Sequence, residues 1–312
     1  MKRDGNDDGF REAVLDGLTR RPRRIPCRFL YDAVGSALFE RITELPDYHL
    51  TRAETALLAR HGPAIAASVG AGVTVVEYGA GSMRKTRLLL AELDRPSAYV
   101  PVDVSQDFLV QSARRLGADL SDLPVVPLVA DFTKPLTLPP PAQGPVLVFF
   151  PGSTIGNLRP AEARDLMVRS ARLAGPGGWL LVGVDPVRDA ARLHRAYDDP
   201  QGITATFTRN LLARANRELG ADFDLDCFDH AAWWNAREGR VEISLVANRR
   251  QQVAVAGHPF AFRSGESIHV EDCYKYSVEQ FQWLARQSGF EPVSCWADED
   301  FSLHLLKSPA CG

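Results

Sequence analysis

The sequence predicts an α/β protein built on a doubly wound parallel sheet, with a second, discontinuous α+β lobe. Three observations carry this reading. Between residues 73 and 184, short apolar β-branched runs alternate with amphipathic segments at helical spacing, the pattern of parallel strands joined by crossover helices. The first of these runs ends in Glu77-Tyr-Gly-Ala-Gly81, a glycine turn at a strand end. After Asp185 the alternation stops, and helices mix with half-buried alternating strands.

Taken in order, residues 1 to about 15 are charged and rich in Gly and Asp, and read as a mobile start. Phe10 to Leu18 reads as a short helix that ends at the Arg/Pro cluster 20–25. Ala33 to Thr43 has helical spacing, and 51–67 is a long amphipathic helix in which Thr51 as N-cap and Glu54 three residues on form a capping-box pattern. Strands follow at 73–78, 98–103, 125–129, 145–150 and 178–184, with helices at 84–94, 105–116 and 160–174. Beyond Asp185, Ala190 to Tyr197 and Ile203 to Leu219 are helical. Arg240 to Ala247 alternates as an antiparallel strand, with Gln251 to Phe262 as its expected partner. Ser277 caps a helix to Ser288, and 291–298 with 301–307 form a hairpin that completes the sheet. The core is therefore expected over 60–195 and 280–312, and the second lobe over 1–59 and 196–279, with a cleft between them.

Apolar content of 45% and charged content of 24% are those of an ordinary globular protein. A net charge of -3 gives no argument for nucleic acid or membrane partners. No apolar run is long enough for a signal peptide or a membrane span. The five cysteines, at 27, 227, 273, 295 and 311, lack Cys-x-x-Cys spacing, which argues against a disulfide framework and a zinc site and points to a reducing cytoplasm. No metal is expected, and a monomer is the default.

Gly79 and Gly81 let the backbone approach a ligand. Asp103, 24 residues after Gly79, stands at the end of the second strand, where a carboxylate accepts from ribose hydroxyls. A dinucleotide site needs a third glycine, and that position is Arg84. The negative charge of Glu77 repels a pyrophosphate and suits a cationic cofactor with an amino-acid tail, S-adenosylmethionine. Asp131 and Phe132 follow the third strand and suit the exocyclic amine and ring face of adenine; the alternative is a turn Asp before a loop. Pro151-Gly-Ser-Thr-Ile-Gly-Asn157 follows the fourth strand, and Asn157 offers both donor and acceptor to an amino acid, or else caps a turn. In Ser267–Tyr276, Glu271 and Cys273 share one face if the segment is extended. Glu271 then faces an N–H-bearing substrate side chain, or the segment is a solvated charged loop. Tyr48 and Tyr197 stand at the core–lobe junctions, where packing is the plainer reading.

Five segments occur together and in order: Phe29-Leu-Tyr-Asp-Ala-Val-Gly-Ser-Ala-Leu-Phe39, Leu45-Pro-Asp-Tyr-His-Leu-Thr-Arg-Ala-Glu54, Glu77-Tyr-Gly-Ala-Gly-Ser82, Pro151–Asn157 and Glu271-Asp-Cys-Tyr-Lys-Tyr276. With these, residues 25 to 307 resemble the histidine-specific N-α-methyltransferase family, which makes hercynine on the way to ergothioneine. The resemblance implies a Rossmann-like class I methyltransferase core with a discontinuous substrate-binding domain. It implies that Gly79, Lys85, Asp103, Asp131 and Phe132 line the S-adenosylmethionine site. Asn157 and Tyr197 hold the substrate carboxylate and orient its amine, Tyr31 and Tyr48 line the amino-acid pocket, and Glu271 accepts from the imidazole.

The chain departs from the family pattern at three places: Cys273 stands where Glu-x-Ser is usual, Ile243 where a methionine is usual, and Tyr48-His-Leu-Thr-Arg52 replaces Tyr-Tyr-Pro-Thr-Arg. All three fall on the substrate side. The same reaction on tryptophan, tyrosine or a histidine-derived precursor is therefore the alternative. A nicotinamide-dependent oxidoreductase is the rival on the same fold.

Overall fold

A computed structural model describes residues 9–140, 142 and 144–310. Cys311 and most of the charged start lie outside the described residues. Contacts divide the chain into two units, Met1–Tyr48 with Asp189–Asp272, and His49–Arg188 with Cys273–Gly312. The expected cut at 59/60 falls inside the continuous helix Leu50–Val69, which contacts helix Arg84–Glu92 and strand Ser302–Lys307 and so belongs with the sheet.

The second unit holds a seven-stranded sheet in the order Glu291–Ala297, Ser302–Lys307, Trp179–Val184, Val146–Phe150, Thr74–Tyr78, Ala98–Asp103, Leu128–Val129. The five strands from Trp179–Val184 to Leu128–Val129 pair in parallel, and the C-terminal hairpin joins them antiparallel. The central strands read Thr-Val-Val-Glu-Tyr, Val-Leu-Val-Phe-Phe and Trp-Leu-Leu-Val-Gly-Val and are buried throughout, because crossover helices cover both faces of a parallel sheet. Helices Arg84–Glu92, Gln106–Asp119, Pro160–Ala174 and Val278–Gln287 complete the layers. Pro160–Ala174 starts with Pro at its first turn, and Glu162 accepts from Arg159 N at 2.9 Å. Val278–Gln287 carries the expected cap: Ser277 accepts from Gln280 N, and Gln280 returns the bond.

From Thr74–Tyr78 the chain winds outward to Leu128–Val129, then returns to the opposite side at Val146–Phe150. The winding therefore reverses between Thr74–Tyr78 and Val146–Phe150, whose carboxyl ends carry the Gly79 turn and the Pro151 loop. Ligands of open α/β sheets bind at such a reversal.

The first unit holds a four-stranded sheet in the order Arg23–Arg24, Ser267–Tyr274, Arg240–Ala247, Phe228–Asn235. Its helices are Phe10–Thr19, Ala33–Thr43, Ala190–Tyr197 and Ile203–Leu219. Asp32 caps Ala33–Thr43 by accepting from Gly35 N at 2.7 Å, and it also accepts from Asn210 and pairs with Arg217 of Ile203–Leu219. A side chain at Gly35 would collide with the Leu30 carbonyl. Asp32 and Gly35 of the first motif are thus explained by helix docking.

Three further expectations are corrected. Gln251–Val255 pairs with His258–Phe262 in a hairpin of its own, and the antiparallel partner of Arg240–Ala247 is Phe228–Asn235. The third core strand shrinks to Leu128–Val129 with a lone bridge from Tyr99 to Val125, because Pro124 and Pro127 donate no hydrogen bond. Helix Leu50–Val69 begins before Thr51, its N-cap His49 makes no side-chain cap, and Glu54 is turned into the protein.

Candidate active site

At the end of Thr74–Tyr78 the chain turns through Gly79 at φ 67° and Gly81 at φ 50°. Only glycine adopts such angles without strain. Gly79 N and Ala80 N both donate to the Val102 carbonyl, at 2.8 and 3.3 Å, which fastens the turn to the neighbouring strand. The Asp103 carboxylate accepts from Ser105 N at 2.9 Å and from the Gly81 backbone amide, while burial raises its pKa. Gly79, Gly81 and Asp103 therefore share one edge.

Phe132 lies over this turn. Its ring would stand 3.8 Å from a Cβ on Gly79 and stacks on Tyr78 at 5.4 Å with an interplanar angle of 8°. Asp131 uses one oxygen to accept from Thr133 N at 2.9 Å and Thr133 Oγ1 at 2.5 Å, an Asx turn that presents Phe132. The turn reading of Asp131 is thus part of its geometry.

Glu77 corrects the charge argument. Its carboxylate is buried and accepts from Thr86 and Tyr99, and burial pushes its pKa up to about 8. A largely protonated carboxyl repels little at neutral pH. Glu77 instead ties its own strand to helix Arg84–Glu92 and to strand Ala98–Asp103. One residue before Thr86, Lys85 pairs with the fully buried Glu54 at 2.6 Å, and Glu54 also accepts from Gly152 N.

The loop after Val146–Phe150 begins with Gly152 at φ 79° and Ser153 at φ 57°, then tightens into the 3-10 turn Thr154–Asn157. Gly156 has no room for a side chain, since a Cβ would stand 2.6 Å from the Tyr274 carbonyl. Ser153 Oγ accepts from Asp185 N at 2.9 Å. Asp185 is buried beside Lys275 at 2.6 Å, and that cation with the His49 and Arg188 side chains outweighs burial and holds its pKa down at about 2. Asn157 is therefore carried on a loop braced by Tyr274 and Asp185.

In the first unit the three predicted tyrosines join one aromatic chain. Tyr197 meets Tyr48 at 6.4 Å, Tyr48 meets Phe39 at 6.2 Å, and Tyr31 meets both Phe39 and Phe207, at 5.5 and 5.4 Å. Ile243 and Glu271 lie on adjacent strands, both buried. Cys273 is buried on the strand of Glu271, two residues on, so the segment is extended as the alternation required. The intervening Asp272 points to the other face and pairs with Arg24 at 2.7 Å, His269 at 3.1 Å and Arg240 at 3.2 Å.

The structure thus groups Gly79, Gly81, Asp103 and Phe132 in one unit and Tyr31, Tyr48 and Tyr197 in the other. Sequence reasoning missed the roles of Phe39, Glu54, Asp185 and Phe207. Phe39 and Glu54 stood inside the quoted motifs, and their place there was the available signal. Asp185 ends an apolar strand, as Asp103 does, which was a second. Among the described residues, no helix is long and apolar enough to cross a membrane.

A family model described as histidine-specific methyltransferase, SAM-dependent, matches residues 10–308. A histidine N-alpha-methyltransferase of Mycolicibacterium smegmatis is 41% identical over 97% of this chain and 96% of its own length. One of Mycobacterium tuberculosis is 40% identical over 96% of both. Among solved structures, a possible exported protein from Bordetella parapertussis shares the fold at a TM-score of 0.52 with 17% identity, over 98% of this chain and 91% of that one. The expected α/β class, cofactor and enzyme class are borne out, and the chain belongs to the family of histidine-specific, S-adenosylmethionine-dependent methyltransferases.

Proposed function

We propose that this enzyme methylates the α-amine of L-histidine, in successive transfers, to the trimethylated betaine hercynine. The observation that carries the choice of substrate is Glu271, a buried carboxylate on an extended strand where the family pattern places the imidazole acceptor. An acceptor withdrawn from water discriminates strongly for a ring N–H, because an apolar ring would leave it unpaired. The two mycobacterial relatives carry this activity in their names.

The core edge fits the cofactor. Gly79 and Gly81 form a side-chain-free cradle, Asp103 receives the ribose hydroxyls, Phe132 and Asp131 receive the adenine, and the Lys85 ammonium receives the carboxylate of the amino-acid tail. When bound, the cofactor supplies a methyl group already activated by its sulfonium. The protein's own work is orientation. Asn157 and Tyr197 fix the substrate carboxylate and point the neutral amine, and Tyr31 and Tyr48 wall the amino-acid pocket with aromatic faces that tolerate a growing cation. Ile243 and Cys273 shape the ring end. The enzyme acts as a cytoplasmic monomer on a small molecule, without nucleic acid.

The test is to incubate the protein with S-adenosylmethionine and each aromatic amino acid separately, and to follow product masses. One, two and three added methyl units on histidine are expected. Methylation confined to tryptophan, tyrosine or a histidine derivative would move the specificity to Cys273 and Ile243 and overturn the substrate.

A further inference from the structure

Glu54 has no counterpart in the reading of a helix cap. Its carboxylate is fully buried on helix Leu50–Val69. Oε2 accepts from Lys85 Nζ at 2.6 Å and from Gly152 N at 2.8 Å, and Oε1 stands 3.0 Å from the same Gly152 N. Two further features make room for it. A Cβ on Gly183 would collide with Oε1, so the strand Trp179–Val184 is bare where the carboxylate lies against it. A Cβ on Gly152 would stand 3.5 Å from Lys85 Nζ, so ammonium and loop peptide are packed side by side.

One oxygen thus serves two segments that follow different strands: the first turn of helix Arg84–Glu92, and the loop that leads to Asn157. A fully desolvated carboxylate is costly unless it is paired and hydrogen-bonded. A pair kept only for stability is replaced by apolar residues at little loss. A pair that aims an ammonium is not, because Lys is a flexible chain that needs a fixed partner to hold its position. Lys85 has three donors, of which Glu54 takes one.

We infer that Glu54 is a positioning residue: it aims the Lys85 ammonium at the cofactor and anchors the Gly152 peptide that leads to Asn157. This rests on the roles proposed above for Lys85 and Asn157. The two tasks separate by chemistry. Glu54→Gln keeps an oxygen acceptor for Gly152 N and loses the charge that holds Lys85. Glu54→Ala loses both.

The experiment is titration calorimetry of the full chain with S-adenosylhomocysteine, in the wild type, Glu54→Gln, Lys85→Met and the double variant, alongside thermal melts. Glu54→Gln is expected to weaken binding by about tenfold or more, the scale of one charge-assisted contact. The double variant is expected to bind no more weakly than Lys85→Met alone, since Glu54 acts through Lys85. At saturating cofactor, Glu54→Gln should keep the histidine KM, and Glu54→Ala should raise it. Additive losses in the double variant, or a lowered melting temperature with unchanged affinity, would overturn the inference. The binding cycle contains no histidine, so it decides on Glu54 even if the chain proves inactive on that substrate. Should Glu54→Ala fail to fold, the Gln and Met variants still decide.

Discussion

His230 donates through Nε2 to the backbone carbonyl of Tyr197 at 2.8 Å, while its Nδ1 faces Thr208 Oγ1 at 3.0 Å. A carbonyl only accepts, so Nε2 carries the proton and Nδ1 accepts from the hydroxyl. The imidazole is fully used in its neutral form, and burial lowers its pKa. The end of helix Ala190–Tyr197 is thereby pinned to strand Phe228–Asn235.

His230→Phe removes the ring donor from the Tyr197 carbonyl and the ring acceptor from the Thr208 hydroxyl, which costs about 1–3 kcal/mol of stability. The histidine KM is expected to rise while S-adenosylhomocysteine affinity stays, because the cofactor edge belongs to the other unit. Melting curves and paired KM and Kd measurements check this. An unchanged KM would remove His230 from the positioning of Tyr197.

His230 and His304 both have lowered pKa values, His304 at about 4 through burial. Below pH 6.5 the unfolded chain takes up protons at these residues before the folded chain does, so acid destabilises the fold through them. Glu77 acts in the opposite direction. Its folded value is about 8 against 4.5, so between these the folded chain keeps a proton that the unfolded chain has lost. Stability then falls as pH rises, by at most about 1.4 kcal/mol per pH unit. Glu77→Gln is expected to flatten the decline in melting temperature between about pH 5 and 8. A decline of the wild-type slope in that variant would show that the carboxyl titrates elsewhere.

Gly79→Ala places a Cβ at φ 67°, which costs on the order of 1–2 kcal/mol, yet the nearest atom beyond the turn is 3.8 Å away. The protein should therefore fold, with near-native circular dichroism, and lose cofactor affinity by about tenfold or more because the methyl group occupies the cradle. A native Kd for S-adenosylhomocysteine would place the cofactor away from Gly79.

Cys273→Ser restores a hydroxyl where the thiol now offers a weaker hydrogen bond. The histidine KM should fall by about three- to tenfold, with kcat little changed. Steady-state kinetics at saturating cofactor decide this. No change in KM would mark Cys273 as packing.

Much of the core was legible because its signals are local. Strand Ala98–Asp103 and helices Ala33–Thr43, Pro160–Ala174 and Ile203–Leu219 fall at the expected bounds, each marked by unbroken periodicity and a cap, glycine or proline at its edge. Phe228–Asn235 escaped notice because its burial repeats every fourth residue instead of every second, so Phe-Asp-His-Ala-Ala-Trp-Trp-Asn shows no strand alternation. The candidate site was legible in the positions of Gly79, Asp103 and Phe132, since strand ends are visible in sequence.

Glu54 and Glu77 show where that reading stops. Thr51-Arg-Ala-Glu54 satisfies the capping-box pattern, but the helix starts at Leu50 and the carboxylate finds partners far along the chain, at Lys85 and Gly152. Glu77 ends an apolar strand as a ligand-facing acid would, and only the Thr86 and Tyr99 hydroxyls that donate to it reveal its internal role. Periodicity reports which face a residue occupies. It carries no record of what waits on that face.

The strand Ser302–Lys307 lies between Glu291–Ala297 and Trp179–Val184, buried along most of its length. Trp179–Val184 precedes it in the chain, with the whole of Asp189–Asp272 between the two. Until it arrives, Trp179–Val184 presents an apolar strand edge with unsatisfied amides, the form of surface that recruits other chains. The nascent protein must therefore carry an open sheet while the whole of Asp189–Asp272 is synthesised. Closure of the parallel sheet on that side waits for the hairpin formed by Glu291–Ala297 and Ser302–Lys307, so a break in the chain before Ser302 leaves the Trp179–Val184 edge unzipped.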